Sequence, residues 1–129
     1  MISFKIWLKA LRAPFFTASI VPVVLGVIMA WHDFGNFFWA KFWLTLLGIV
    51  SIHAGTNLAN DFFDHLSGCD WKNENPTAFS GGSRVIQQKL IKPKNILFAA
   101  LVFFIIGAAI GLYLNYLSKT NVILGLGII

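Results

Sequence analysis

The sequence predicts an all-α fold, a polytopic transmembrane helical bundle, and three observations predict it. The first is composition. Of 129 residues, 57 % are hydrophobic and 12 % charged, against about 25 % charged in an ordinary soluble domain. Mean hydropathy is +0.75. The second is run length. A spanning helix needs about 20 mostly apolar residues; three runs qualify and a fourth begins as the chain stops. The third is charge placement. Lys5, Lys9 and Arg12 precede the first run, and Lys72, Arg84, Lys89, Lys92 and Lys94 lie between the second and third. Only Lys41 and Lys119 fall near the other side, 8 basic residues against 2. That is the positive-inside pattern, and it puts the N-terminus and the loop after Asn60 in the cytoplasm.

The elements follow in order. The first span is expected over residues 14–31, Pro14 to Trp31. Pro14 suits a first helical turn, where its missing N–H costs nothing. Pro22 and Gly26 are expected to kink this helix, which membrane helices tolerate. The apolar stretch exceeds the 7–15 residues of a signal-peptide core, and no small-x-small cleavage site follows, so the span is read as uncleaved. Residues 32–36, His-Asp-Phe-Gly-Asn, make a short outer turn. The second span covers about 37–60 and the third about 95–116, opened by Pro93. A fourth, 121–129, ends in mid-run. The 129 residues are therefore expected to be the N-terminal part of one longer transmembrane domain. The single Cys69 cannot form an internal disulfide.

The loop 61–94 holds 9 of the 15 charged residues. A connection this long is usually functional or disordered. Within it, Ser83 is a plausible N-cap and Val85, Ile86 and Leu90 share one helical side. A short amphipathic helix against the membrane face is expected, with a solvated basic loop as the alternative. The +5 net charge admits nucleic acid as a partner, but no base-reading motif is present. The basic residues are instead distributed as membrane topology requires.

Chemistry concentrates at the end of the second span. At about 100° per residue, Asn57, Asn60, Asp61 and Asp64 share roughly a 100° arc. Ser67 and Gly68 then favour a helix stop, which lets the chain fold back and bring Asp70 towards Asp64. Close carboxylates repel one another unless a cation sits between them. Hard oxygen ligands favour Mg²⁺ or Ca²⁺. Mg²⁺ takes one or two protein carboxylates and fills its shell with water and substrate phosphate. Lys72 and Arg84 would add phosphate contacts. The chemistry implied is metal-bridged binding of a diphosphate at the membrane face, its tail in the bilayer. His53 and His65 are read as structural or incidental, Glu74 as a solvated acid, and Gly107 with Gly111 as a helix-packing pair.

At these residues the chain resembles the UbiA superfamily of membrane prenyltransferases. The family's first aspartate-rich motif, Asn-Asp-x-x-Asp with a third Asp beyond, reads here Asn60-Asp61-Phe62-Phe63-Asp64 and then Asp70. The longer gap with Ser67-Gly68 before the third Asp is similar to the menaquinone-type branch, the 1,4-dihydroxy-2-naphthoate polyprenyltransferases. So are the opening Arg12 to Gly26, with Pro22-Val23, and the stretch Phe79 to Pro93. The resemblance covers about residues 9–95. It implies a helical bundle in which Mg²⁺, held by Asp61, Asp64 and Asp70 with Asn60 assisting, binds a polyprenyl diphosphate. Asn57, Asn60, Lys72 and Arg84 would then contact the substrate. The prenyl group would pass to an aromatic acceptor in the cytoplasmic membrane. Members of the family have roughly nine spans and a second aspartate-rich motif in the later half. Neither is in these residues, so the 129 residues alone are expected to be inactive without the remainder of the full-length chain. Other readings are a different acceptor, an ion-binding transporter fragment and a non-enzymatic anchor. Transporter sites lie near the bilayer midplane, while this cluster is at its edge. A CDP-alcohol phosphatidyltransferase lacks its Asp-Gly-x-x-Ala-Arg pattern here.

Overall fold

A computed structural model describes residues 3–72, Thr77 and 82–118. The described chain is helical, in the order α1 (Phe4–Leu11), a 3₁₀ turn (Ala13–Phe16), α2 (Thr17–Phe34), α3 (Trp39–Ser67), α4 (Cys69–Lys72) and α5 (Pro93–Ser118). Three stretches are long and apolar enough to cross a membrane: Ala13–Phe34, Trp39–Ser67 and Pro93–Ser118. The expected fourth span, 121–129, lies outside the described residues.

α3 and α5 form the main packed pair, and small residues let them approach. A side chain at Gly107 would meet Ile52 at 2.6 Å and the Gly48 carbonyl at 3.1 Å. One at Gly55 would meet the Phe104 ring at 2.9 Å and the Ala100 carbonyl at 3.2 Å. Gly111 has open space around it. Of the expected pair, then, only Gly107 sits in the interface. It lies opposite Gly48 and Ile52, while Gly111, one turn on, is exposed with no neighbour within 4 Å.

The buried core sits at the end of the bundle where α3 finishes. Ala10, Leu58, Val85, Ile86, Ile91, Ile96 and Ala100 pack together, bordered by Ile6, Trp7, Phe62 and Phe104. The core thus joins α1, the end of α3, the start of α5 and the returning segment 83–91. At the opposite end, aromatic rings cluster about the α2–α3 turn: Trp31, Phe37, Trp39, Phe42 and Trp43 are in ring contact. Lys41 lies over the Phe38 ring there. Amphipathic aromatics at a span's end mark the headgroup level.

α3 runs past the apolar stretch that ends near Asn60 to Ser67 and carries Asp61 and Asp64 with it, as the helical arc and the Gly68 break lead one to expect; residues 61–67 of the expected loop are thus helical. Gly68 then ends it in the left-handed region at φ +75°, the conformation glycine adopts without penalty. The amphipathic helix expected over 83–91 is absent. The segment is a run of tight turns, in which Leu90 N–H donates to the Val85 carbonyl and Lys89 N–H to that of Ile86. Val85, Ile86 and Ile91 are buried beneath it and Leu90 is exposed. Lys89 adopts a positive φ of 57°, which an α-helix does not allow. Finally, residues 4–11 form a helix that was not among the expected elements. Its amphipathic spacing places Ile6, Trp7 and Ala10 against the core, and that packing supports a helix too short to be stable alone.

Candidate active site

The site is built where α1, α3, α4 and the returning segment converge. Asp61, on α3, is buried, with 2 % of its surface exposed. Its Oδ1 accepts from Arg12 Nη2 at 2.9 Å and from the Ser83 N–H at 3.1 Å; its Oδ2 accepts from the Ser83 hydroxyl. Three hydrogen bonds thus satisfy both oxygens, as a buried carboxylate requires. Asp70, in the first turn of α4, is buried too, at 3 %. Its Oδ2 accepts from Gln87 Nε2 at 2.7 Å, and its backbone carbonyl accepts from Arg84 Nη1.

The two carboxylates meet at Gly82. A Cβ there would lie 2.9 Å from Asp61 Oδ1, 3.0 Å from Asp70 Oδ2 and 3.2 Å from Arg12 Nη2. Gly82 has φ +70°, and no other residue would fit both that backbone and that gap. Asp70 is thus turned towards the acids of α3. Burial, and then the negative charges of Asp64 and Asp61, raise its pKa from the ordinary value; Gln87 and Arg84 pull it back less.

Both arginines stand in left-handed backbone, Arg12 at φ 51° and Arg84 at φ 62°. Non-glycine residues there are uncommon and cluster at functional sites. Arg12 closes α1, its N–H donating to the carbonyls of Leu8 and Lys9. That turn swings its guanidinium onto Asp61. Its Nε is buried and makes no hydrogen bond among the described residues. A cavity of about 370 Å³ opens beside it, lined by Lys9, Arg12, Phe15, Gly82, Ser83 and Arg84. A cationic wall therefore adjoins the carboxylates.

The other expected residues are placed as follows. Asp64 Oδ2 accepts from Asn60 Nδ2 at 2.8 Å, so the two form an i, i+4 pair on α3. Asn57 Nδ2 donates to the Leu11 carbonyl at 2.9 Å and ties α1 to α3. Of Lys72 only the backbone, at the end of α4, is described. Glu74 lies outside the described residues. Among the described residues no three acidic, histidine or cysteine side chains come close enough to cage a metal ion. Asp61 is taken up by Arg12 and Ser83. The carboxylates left for a cation are Asp64 and Asp70, with the Asn60 carbonyl oxygen beside them. Two carboxylates, completed by water and phosphate, suit Mg²⁺.

Four residues that shape the site were not among the expected ligands: Arg12, Gly82, Ser83 and Gln87. Arg12 had a signal, a cation immediately before Ala13-Pro14, where a helix must break. Ser83 and Gln87 had none, because burial of a small polar side chain against a distant acid is a tertiary fact.

The model of the UbiA prenyltransferase family matches residues 19–129. The chain belongs to the UbiA prenyltransferase family. It is 33 % identical over 119 residues to a 1,4-dihydroxy-2-naphthoate octaprenyltransferase of Mycobacterium tuberculosis, covering 92 % of this chain and 38 % of that protein. It is 30 % identical over 108 residues to a 2-carboxy-1,4-naphthoquinone phytyltransferase of Synechocystis, covering 84 % of this chain and 32 % of that one. To UbiA prenyltransferase domain-containing protein 1 of Xenopus tropicalis it is 24 % identical over 113 residues, 88 % of this chain and 31 % of the relative. The chain thus spans about a third of the length of these relatives. No solved structure matches it.

Proposed function

We propose that the protein transfers a polyprenyl group from its diphosphate to an aromatic acceptor in a membrane, with Mg²⁺ as cofactor. We take 1,4-dihydroxy-2-naphthoate as the acceptor and menaquinone biosynthesis as the setting. The observation that carries the reading is the meeting of the buried Asp61 and Asp70 carboxylates at Gly82, within reach of the Asp64 charge, with Arg12 on Asp61 and Arg84 on the Asp70 backbone carbonyl, at the end of a long apolar helix. The activities for which the Mycobacterium and Synechocystis relatives are named support the acceptor class. The charge asymmetry of the sequence supports a cytoplasmic site in the cell's inner membrane.

Asp64 and Asp70, with the Asn60 carbonyl, would hold the metal. When bound, it neutralises charge that builds on the leaving diphosphate. Arg12 and Arg84 are placed to receive phosphate oxygens through their remaining N–H donors, and Lys72 would join them. Asp61 keeps Arg12 oriented rather than binding the substrate itself. The allylic C–O bond breaks with its electron pair leaving on the diphosphate. The acceptor's π electrons then form the new C–C bond, and with a naphthoate the ring carboxylate leaves as carbon dioxide.

Asp64→Asn in the full-length protein tests this reading. Prenylated naphthoate should fall by roughly a hundredfold or more, as for loss of a charge-stabilising group, while thermal stability in detergent holds. An equal product yield from variant and wild type, or from wild type in excess chelator, contradicts it. Activity on 4-hydroxybenzoate with none on the naphthoate would move the acceptor and leave prenyl transfer intact.

A further inference from the structure

α3 carries a second set of polar side chains, inside the bilayer. His53 lies eight residues before Asp61, about 12 Å along the helix axis. His53, Asn57, Asn60 and Asp64 share an arc of roughly 60°. The face that packs α5, through Gly48 and Gly55, points elsewhere. An ionisable side chain in a membrane helix faces a bundle interior or a polar cavity, and is a functional position by default.

The surroundings of His53 fit that rule. Its Nδ1 is 2.7 Å from Ser19 Oγ across the α2–α3 interface. Its ring meets Phe16 edge-on, 5.3 Å between centroids. Ser19 and Phe16 thus fix the imidazole plane, and no described residue hydrogen-bonds Nε2. The ring borders a cavity of about 300 Å³, with Ser19, Ile49, Ile52, Thr56 and Asn57 around it. That volume is at the lower end for small-molecule sites, about 300–1,000 Å³. The Thr56 hydroxyl is turned back onto the Ile52 carbonyl at 2.9 Å, and Asn57 donates to Leu11. Among the described residues, His53 Nε2 and the Asn57 side-chain oxygen are therefore the polar atoms of the cavity with no hydrogen bond, and Nε2 alone of the two can donate as well as accept. Aliphatic walls and so few polar atoms suit a flat apolar ring with a hydroxyl. They do not suit a phosphate, because no cation lines the space.

Resting on the proposed prenyl transfer, we infer that His53, oriented by Ser19, hydrogen-bonds through Nε2 to a ring hydroxyl of the aromatic acceptor and selects hydroxylated rings. The separation from the carboxylates leaves room for a diphosphate at Asp64 and Asp70 with the acceptor ring one layer deeper. His53 is then a substrate-contacting, specificity-determining residue, and Ser19 a positioning one.

The test is prenyl transfer by the full-length protein in nanodiscs, with dihydroxynaphthoate and its two monomethyl ethers as acceptors. Wild type should prefer the free phenol to at least one ether by roughly tenfold or more. His53→Phe should raise the acceptor KM by a similar factor, leave the prenyl diphosphate KM unchanged and erase the preference. His53→Gln should keep part of it, and Ser19→Ala should show a weaker form of the same pattern. A His53→Phe enzyme with the wild-type preference overturns the inference and leaves prenyl transfer standing. So does one in which both substrates' KM values worsen alike, which marks a structural role. If wild type transfers to no phenol, prenyl transfer itself fails. Fluorescence titration of dihydroxynaphthoate into wild type and His53→Gln then decides His53: weaker binding to the variant supports its contact, and equal or absent binding overturns it.

Discussion

At the scale of the residue, the site is a charge balance around Gly82. Asp61 is compensated by Arg12 and Ser83, while among the described residues Asp70 has the Gln87 amide alone hydrogen-bonded to its carboxylate. Two predictions belong here. Gly82→Ala places a methyl group within 3.0 Å of both carboxylates in a backbone region that disfavours Cβ. The strain costs about 1–3 kcal/mol, read as a lower melting temperature in detergent, and transfer should be lost with it. The second concerns pH. The raised pKa of Asp70 means the folded protein binds this proton more tightly than the unfolded chain. The resulting stabilisation is complete below the ordinary value of 3.8 and is lost as pH rises through the raised one. In metal-free buffer, Asp70→Asn should therefore melt above wild type near neutrality, with the gap closing on acidification. A gap independent of pH would mean the carboxylate carries no such strain. Asp61, Asp64 and Asp70 were legible as a group from spacing and the Gly68 break. The pairing of Asp61 with Arg12 was not, since it depends on a left-handed turn 49 positions away in sequence.

At the scale of the element, helix ends decide more than helix centres. α3 carries Asp61 and Asp64 because it outruns its apolar stretch by two turns, and Gly68, not hydropathy, marked that end in the sequence. The segment 83–91 had no such marker. Its apolar spacing is compatible with a helix, yet Val85, Ile86 and Ile91 are buried by turns that fold over the core. Periodicity reports which residues are buried, and here it could not report the backbone that buries them. The α3–α5 interface gives the prediction at this scale. Gly107→Leu drives a side chain into Ile52, which already lies 2.6 Å from the Cβ position. Overpacking of this kind costs about 1–3 kcal/mol. Gly111→Leu, in open space, should change stability by less than about 0.5 kcal/mol. Equal melting temperatures for the two variants would place the contact elsewhere.

At the scale of the whole molecule, two of the three apolar helices, α3 and α5, pack through small residues, and large side chains face outward. Val21, Leu25, Ile105 and Leu112 are among those exposed. The architecture was legible from run length and composition, because a bilayer permits few solutions to backbone hydrogen bonding. What composition could not supply was the way α1 and the returning segment close over the end of α3. The central claim is that this closed end binds a lipid diphosphate through a divalent cation. Equilibrium binding of a radiolabelled polyprenyl diphosphate to the full-length protein, with and without Mg²⁺, tests it most directly. Binding that requires Mg²⁺ in wild type and disappears in Asp64→Asn is the predicted result. Binding of equal strength in chelator, or undiminished in the variant, would contradict it.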